Sequence, residues 1–189
     1  DDYFRCASYV SDPQDNTVTV EAWFKKADTT NSGCVLCNND AASAKHGFEM
    51  RCYTTDNKWR IDIRNDAGDG IFTDTLFSED TNYNNFVSAS NNTASAGGYF
   101  CKNGAIIYDS DDRTGASTID PLTMGRLSTT SGYFWVGYID EIRISNLKRS
   151  EDWIITSYNT IHNATSGGFF SLGSEEERGW TNSNPSITA

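Results

Sequence analysis

The residue whose surroundings point most directly to chemistry is Asp140, an acid inside the longest hydrophobic run of this 189-residue chain. The run, residues 132–145, predicts a central β-strand because its apolar side chains alternate with period two. Asp140 falls on an otherwise apolar face. Two explanations stay open: a β-bulge after Ile139 turns the carboxylate outward, or the carboxylate points inward and has a partner such as a metal ion.

Aromatic residues close to this acid offer a second kind of chemistry, the stacking of sugar rings. Tyr133 and Trp135 are the candidates for ligand binding. Trp135 is equally well explained as a core residue, since it lies on the face opposite Phe134 in a sheet that is buried on both sides.

The chain has five cysteines, which favour an oxidising compartment. Cys34 and Cys37 form a lone CxxC motif, and zinc would need four ligands, so disulfides are the better interpretation. A bridge from Cys37 to Cys52 across neighbouring strands is one candidate. Because the number of cysteines is odd, at least one of them stays a free thiol or pairs with a cysteine of another chain.

Two N-glycosylation sequons begin at Asn91 and Asn163. The chain begins at Asp1 and lacks an initiator methionine, so we expect a processed, secreted or surface-exposed product.

No run of about 18 apolar residues is present, and we therefore expect no membrane insertion. The formal net charge of −11 argues against nucleic acid as a partner, because phosphate would be repelled.

Catalysis has little support. His46 and His162 are the only histidines, and neither lies in a triad-like or zinc-like motif. Acids beside arginines, such as Glu49 with Arg51 and Asp62 between two arginines, are interpreted as paired surface charges. We predict no catalytic residue.

The elements that must position these residues are short strands. Alternation is clear in 17–24, 47–54 and 59–63, weaker in 71–77 and 85–90, and 98–108 reads as a hairpin around Asn103-Gly104. After Ser145 the period becomes helical, with Ser150 as the N-cap. A last strand is expected at 167–173. The predicted fold class is all-β, a jelly-roll sandwich of two antiparallel sheets with one short helix near the C-terminus. One domain spans 1–173, followed by a polar tail or linker at 174–189.

Three motifs, in this order, resemble the laminin-G-like jelly rolls of the concanavalin A-like lectin and glucanase superfamily. They are TVTVEAWF at 17–24, YFCKNGA at 99–105, and LTMG at 122–125 followed by VGYIDEIRI at 136–144. The resemblance covers about residues 2–159 and, with the helix and tail, is similar to modules of archaeal and bacterial surface proteins. The chain departs from such domains at 83–86, where YNNF stands in place of Trp-His-hydrophobic.

The resemblance implies a structural Ca²⁺ bound by Asp140, with a contribution from Asp1 or Asp2 and from main-chain carbonyls. A bulged, solvent-facing Asp140 is the alternative. Glucanases of the superfamily carry Glu-x-Asp-x-Glu on one strand, and no such run exists here.

The expected function is therefore a non-catalytic extracellular binding or adhesion module for a glycan or surface protein. The alternative is a structural subunit of an extracellular filament or surface layer, a homo-oligomer assembled by exchange of a terminal strand or tail. A glycoside hydrolase is the third hypothesis.

Overall fold

The computed structural model describes residues 4–6, 18–38, 47–53, 58–64, 70–72, 77–78, 80–90, 98–109, 122–127 and 133–166. The strands in these residues are β1 (Phe4–Cys6), β2 (Val18–Lys26), β3 (Gly33–Cys37), β4 (Phe48–Tyr53), β5 (Lys58–Arg64), β6 (Gly70–Phe72), β7 (Phe77–Ser78), β8 (Tyr83–Ser90), β9 (Gly98–Lys102), β10 (Ala105–Asp109), β11 (Leu122–Met124) and β12 (Gly137–Ser145). One helix, α1, spans Glu151–Ser166.

The strands form two antiparallel sheets. The seven-stranded sheet has the order β1-β11-β3-β4-β5-β6, with β7 also paired to β5, and the five-stranded sheet has the order β10-β9-β8-β2-β12. Neighbours in space are often far apart in sequence, as in the pairing of β2 with β12. The predicted all-β sandwich of two antiparallel sheets with one C-terminal helix is confirmed.

The core lies between the inner faces of the two sheets. Period-two alternation sends Val18, Val20, Ala22 and Phe24 of β2 inward, where they meet residues such as Met50, Trp59 and Ile61 of the other sheet. Aromatic rings join the layers: the ring centroid of Phe24 lies 4.9 Å from that of Trp59 and 5.2 Å from that of Phe86. Such pairs add to the stability gained from burial alone.

The hairpin β9–β10 forms as predicted. Asn103 and Gly104 have φ angles of 52° and 80°, which are the positive angles a type I′ turn requires at both central positions. The turn is also in contact with the helix: a Cβ added to Gly104 would lie 2.7 Å from the ring of Tyr158. Gly104 is therefore fixed both by its backbone angle and by the approach of α1.

Helix α1 begins as the sequence predicts. The Ser150 hydroxyl accepts a hydrogen bond from the backbone N–H of Trp153 at 3.3 Å, and acids follow in the first turn, where they complement the helix dipole. The helix packs on the outer face of the five-stranded sheet. Ile154 and Trp153 contact a second apolar cluster that includes Val87 and Tyr99. This sheet is therefore covered on both sides over much of its area.

One prediction about strands is wrong. Among the described strands, β12 lies at the edge of its sheet rather than at the centre, because alternation identifies a strand but not the number of its neighbours. Of the strand predicted at 71–77, the described residues belong to β6 at its start and β7 at its end, and residues 73–76 lie outside the described ranges. The predicted last strand at 167–173 and the tail at 174–189 lie outside the described residues.

The acids Glu49 and Asp62 do not lie on the surface as predicted. They stand directly opposite each other on β4 and β5, and their exposed fractions are 1% and 6%. The predicted pairing of Glu49 with Arg51 is present as a salt bridge. Both acids are buried, although they lie on the face of the seven-stranded sheet that points away from the main core. Loss of a charge partner would therefore cost more stability than it would at a solvent-exposed position.

The predicted Cys37–Cys52 disulfide is contradicted by the register of β3 and β4. Cys37 stands opposite Glu49, whereas Cys52 stands opposite Gly33 at the other end of the pair. On the regular strand β4, Cys52 and the partner of Cys37 are three residues apart, roughly 10 Å at 3.3 Å per residue, and a disulfide spans Cα atoms less than about 7 Å apart. All five cysteines are present as thiols.

Among the described residues, α1 is neither long nor apolar enough to cross a lipid bilayer.

Replacing Gly137 with alanine is expected to lower the free energy of unfolding by about 2–3 kcal/mol. A Cβ at this position would lie 2.1 Å from the carbonyl oxygen of Lys25, and the φ angle of 152° is unfavourable for alanine. Urea denaturation measures the loss. The control is Val136→Ala, next to it and 43% exposed, which should change stability by less than about 0.5 kcal/mol. Equal effects from the two variants would contradict the close approach of β12 to β2.

Candidate functional site

Strand β12 contains a bulge at the acidic pair Asp140–Glu141. Its register with β2 shifts between Asp140 and Arg143, and Glu141 has a φ of 50°. The carboxylate of Asp140 accepts the backbone N–H of Glu141 at 2.9 Å, which satisfies a group that the bulge removes from the ladder. Of the two explanations left open by the sequence, the structure shows the bulge: Asp140 is exposed, while Ile139 and Ile142 on either side of it still pack on the core.

Cross-strand pairing brings two tyrosines to the outer face of the five-stranded sheet. Tyr138 of β12 pairs with Lys25 of β2, and Lys25 pairs with Tyr83 of β8, so the three side chains form one row, which we call the tyrosine row. Tyr138 is 65% exposed and Tyr83 is 48% exposed. Two strand spacings place their Cα atoms about 10 Å apart. The row is thus an open aromatic surface.

A cavity of about 580 Å³ and another of about 440 Å³ meet the bulge from its two sides. The second, here called the outer cavity, opens beside the tyrosine row, between the sheet and α1. It is lined by Trp23, Tyr83, Asp140, Glu141, Ile161 and His162. Three strands and the helix therefore each contribute to one concave site that combines aromatic rings with carboxylates.

Trp23 provides one wall of the outer cavity. It pairs with Asp140 across β2–β12 and is 7% exposed. Its ring stacks on Tyr158, with centroids 5.6 Å apart, and Tyr158 stacks in turn on His162 at 5.0 Å. No described residue accepts a hydrogen bond from the indole N–H of Trp23. The indole nitrogen is itself buried, so this unsatisfied donor lies inside the wall and not on its accessible surface.

An ion network below the cavity holds β12, β2 and α1 together. Glu21 is 2% exposed, accepts the amide of Asn85 at 3.0 Å and pairs with Arg143 at 3.4 Å. Arg143 also donates to the Ser157 hydroxyl at 3.0 Å and pairs with Glu141 at 2.7 Å. The bulge thereby positions Glu141 on the arginine and leaves the neighbouring Asp140 facing solvent.

The other cavity, about 580 Å³, lies at the open edge of the sandwich between β1 and β11 on one side and β12 on the other. Trp135, one of the two ligand-binding candidates from the sequence, lines it but directs its ring into the core, 5.4 Å from Phe24 and 5.9 Å from Trp59. Of its two predicted roles, the structure therefore favours the core one. Tyr133 is 37% exposed, and its carbonyl accepts the backbone N–H of Cys34. The two aromatics do not share an open surface.

The sequence did not single out Tyr83, Tyr138 or Trp23 as ligand-binding residues. An unbroken period-two count through Asp140 puts Tyr138 on the same face as Ile142 and Ile144, which pack on the core. The sequence feature that could have revealed this is Asp140, because an acid on an apolar face marks the place where a bulge shifts the alternation of side chains between the two faces. Tyr83 and Trp23 become neighbours of Tyr138 only through the pairing of β2 with β8 and β12.

The structure offers only part of a calcium site. Asp140 and Glu141 are hard oxygen donors, but Ca²⁺ takes six to eight oxygens and Glu141 is already paired with Arg143. Within the described ranges, no group of three or more acid, histidine or cysteine side chains is arranged to hold a metal. Asp1 and Asp2, the other predicted ligands, lie outside those ranges. The calcium role of Asp140 and Asp2 therefore stays a prediction.

The two glycosylation candidates remain predictions. Asn91 lies outside the described residues, and Asn163 falls within α1 near its C-terminal end.

Comparison with known proteins places this architecture in a family. The sequence profile of the Concanavalin A-like lectin/glucanases superfamily matches residues 1–155. No curated protein sequence matches the chain significantly.

Solved structures with the same fold include three whose descriptions mention a binding domain, a bound sugar and ganglioside molecules, respectively. The binding domain of Paraclostridial Mosquitocidal Protein 1 has a TM-score of 0.66 at 12% identity and covers 85% of this chain and 41% of its own. The sialidase domain CBM40 of Ruminococcus gnavus, bound to α2,3-sialyllactose, has a TM-score of 0.58 at 14% identity and covers 77% and 84%. A botulinum neurotoxin type C structure described by its interaction with two ganglioside molecules has a TM-score of 0.56 at 11% identity and covers 77% and 36%. Identities this low show a shared fold alone, and the chain spans about two-fifths of the length of the first of them.

Removing the cation of the ion network should destabilise the fold. Arg143→Met leaves Glu21 buried without its charge partner, and we expect a loss of about 2 kcal/mol in the free energy of unfolding, since Arg143 itself is partly exposed. Chemical denaturation measures it. The control, Glu141→Gln, removes only the exposed half of the network and should cost less than about 0.5 kcal/mol. If Arg143→Met lowers the free energy of unfolding by no more than the control does, the buried pairing of Glu21 with Arg143 is contradicted.

Proposed function

The chain belongs to the Concanavalin A-like lectin/glucanases superfamily, and we propose that it is a non-catalytic module that binds a glycan at the tyrosine row and the outer cavity. The main observation behind this proposal is that two exposed tyrosines, one on β8 and one on β12, lie beside a concave site that contains carboxylates. A sugar-binding role is supported by the fold neighbours whose names mention sialyllactose and gangliosides. A glycan-binding module meets its ligand outside the cell, so an extracellular or surface location is part of the proposal.

The chemistry of the site suits a sugar. A pyranose ring presents C–H groups on its faces, which pack on aromatic rings, and hydroxyls around its edge, which donate and accept hydrogen bonds. Tyr138 and Tyr83 provide the rings, and Asp140 provides a carboxylate that accepts from hydroxyls. Lys25, which stands between the two tyrosines in the row, provides a donor for hydroxyl oxygens. Each ligand group thus has a counterpart of matching type.

The charge of the site favours a neutral glycan over a sialylated one. Asp140 and Glu141 line the outer cavity, and the whole chain carries a formal net charge of −11. A carboxylate on the ligand would be repelled both locally and by the field of the protein. Lys25 in the tyrosine row and Arg143 below offset this only partly, because Arg143 already pairs with Glu21 and Glu141. The ligand proposed here therefore differs from the sialyllactose of the R. gnavus structure.

The placement of the described acids supports a non-catalytic role. A glycosidase needs two carboxyl groups on either side of a bound glycosidic bond. Glu49 and Asp62 are the pair that stand directly opposite on neighbouring strands, but both are buried and Glu49 pairs with Arg51. Asp140 and Glu141 follow one another in a bulge on one wall of the outer cavity. Neither pair is placed to flank a sugar.

Replacing Tyr138 or Tyr83 with alanine should weaken glycan binding about tenfold each, because each ring loses a stacking contact worth about 1.4 kcal/mol. An array of neutral and sialylated glycans identifies the ligand, and titration calorimetry with that glycan measures the loss. The matched control is Tyr108→Ala: Tyr108 is 69% exposed on the same sheet, but lies on β10 at the opposite edge. Its replacement should leave affinity unchanged.

The outcomes separate the parts of this proposal. Absence of binding to any glycan would overturn the function. Binding that survives both tyrosine variants would overturn the site. Preference for sialylated over neutral glycans would overturn the argument from charge and leave the function standing.

A further inference from the structure

The CxxC motif of β3 is not used by the glycan site, and the structure gives its two cysteines an unexpected relation. In a regular strand, residues three apart point to opposite faces. Here the register of β3 with β4 shifts between Cys34 and Leu36, so that Cys34 stands opposite Arg51 and Cys37 stands opposite Glu49. Since Arg51 and Glu49 are two apart on a regular strand, both cysteines lie on the same face.

The two thiols are in contact. Cys34 and Cys37 belong to one small buried cluster with Leu127, separate from the main core, and both are 0% exposed. A hydrogen bond joins their side chains. Because the bulge compresses three residues into two strand positions, the Cα atoms are about 6.6 Å apart, within the range of roughly 4.4–6.8 Å that a disulfide spans.

We propose that Cys34 and Cys37 form an intrastrand disulfide across the β3 bulge when the chain folds under oxidising conditions. It replaces the bridge between Cys37 and Cys52, which was one candidate from the sequence. It rests on the register of β3 and does not depend on the proposed glycan function.

The surroundings tolerate the bridge. The thiol of Cys37 contacts the Thr123 hydroxyl at 3.0 Å and the carbonyl of Arg126 at 3.6 Å. Forming the bond removes the thiol hydrogen, but Thr123 still donates to the Arg126 carbonyl at 3.0 Å. No acceptor described there is left without a donor by the reaction.

The reaction is a thiol–disulfide exchange with a low-molecular-weight disulfide such as oxidised glutathione. A thiolate of one cysteine attacks a sulfur of the oxidant and releases one glutathione thiol. The second cysteine then attacks the mixed disulfide and releases the other. Two S–H bonds are lost, one S–S bond forms, and the two electrons and two protons reduce the oxidant to two thiols.

The timing follows from burial. Burial and the hydrogen bond to Cys37 hold the pKa of the Cys34 thiol well above its usual value, so the thiolate that must attack is scarce in the folded protein. The bridge therefore forms during folding, and the folded, reduced protein reacts slowly with the same oxidant.

Oxidative refolding followed by alkylation tests the bridge. The full chain is refolded with oxidised glutathione, unfolded in urea with iodoacetamide, and digested with trypsin, which places both cysteines in the peptide 27–45 and the other three elsewhere. We expect this peptide to be unalkylated and lighter by two hydrogen atoms. Cys101 is the control thiol: its pKa is also raised by burial, to about 11, but its cluster contains no second cysteine, and it should be alkylated.

Two other results would overturn the proposal: a peptide 27–45 carrying two alkyl groups, or one cross-linked to another peptide. The variants Cys34→Ser and Cys101→Ser give a second readout. Only Cys34→Ser should leave Cys37 open to alkylation and lower the Tm of the oxidised protein, by about 4 °C or more. If Cys34→Ser fails to fold, the mass of peptide 27–45 from the wild-type protein still shows whether the bridge has formed.

Discussion

The bulge at Asp140–Glu141 is the constraint on which both the closure of the sandwich and the candidate site depend. β12 is an edge strand, and it must place Ile139, Ile142 and Ile144 on the core although they do not share one period-two face. The extra residue corrects the count and turns two consecutive carboxylates outward. One backbone irregularity therefore completes the core and supplies the acids of the outer cavity.

Helix α1 decides how much of the sheet stays accessible. It covers the part of the outer face that holds Val87 and Tyr99, and Tyr158 extends the cover as far as Trp23. The tyrosine row lies one step beyond, where the helix no longer shields the strands. The network of Glu21, Arg143 and Ser157 fixes the helix on this sheet, so the position of the cavity wall is set by a buried charge and its partners.

Both sheets bury polar groups on their outer faces, so a polar residue in the alternation of this chain does not by itself mark a solvent-exposed position. In an antiparallel sandwich with one wet face, Glu49, Asp62 and the cysteines of β3 would be surface residues. Here they are interior, and each carries a pairing requirement: Glu49 binds Arg51, and Cys34 contacts Cys37. A buried polar side chain without such a partner would cost stability.

The sequence by itself determined the fold class, the strands with clean alternation, the turn at Asn103-Gly104 and the start of α1 at Ser150. These are local features: side-chain period, positive φ at a turn and capping act over a few residues and can be read from one dimension. It also marked Asp140 as anomalous and offered the bulge as one explanation.

Only the tertiary structure decided which strands are neighbours, and the site depends on that. Tyr83, Trp23 and Tyr138 are far apart in the chain and form one surface because β8, β2 and β12 pair in that order and register. The same holds for the cysteines, since the register shift in β3 places Cys34 and Cys37 on one face of the strand. Register arises from the sum of many cross-strand contacts, so no short stretch of sequence contains it.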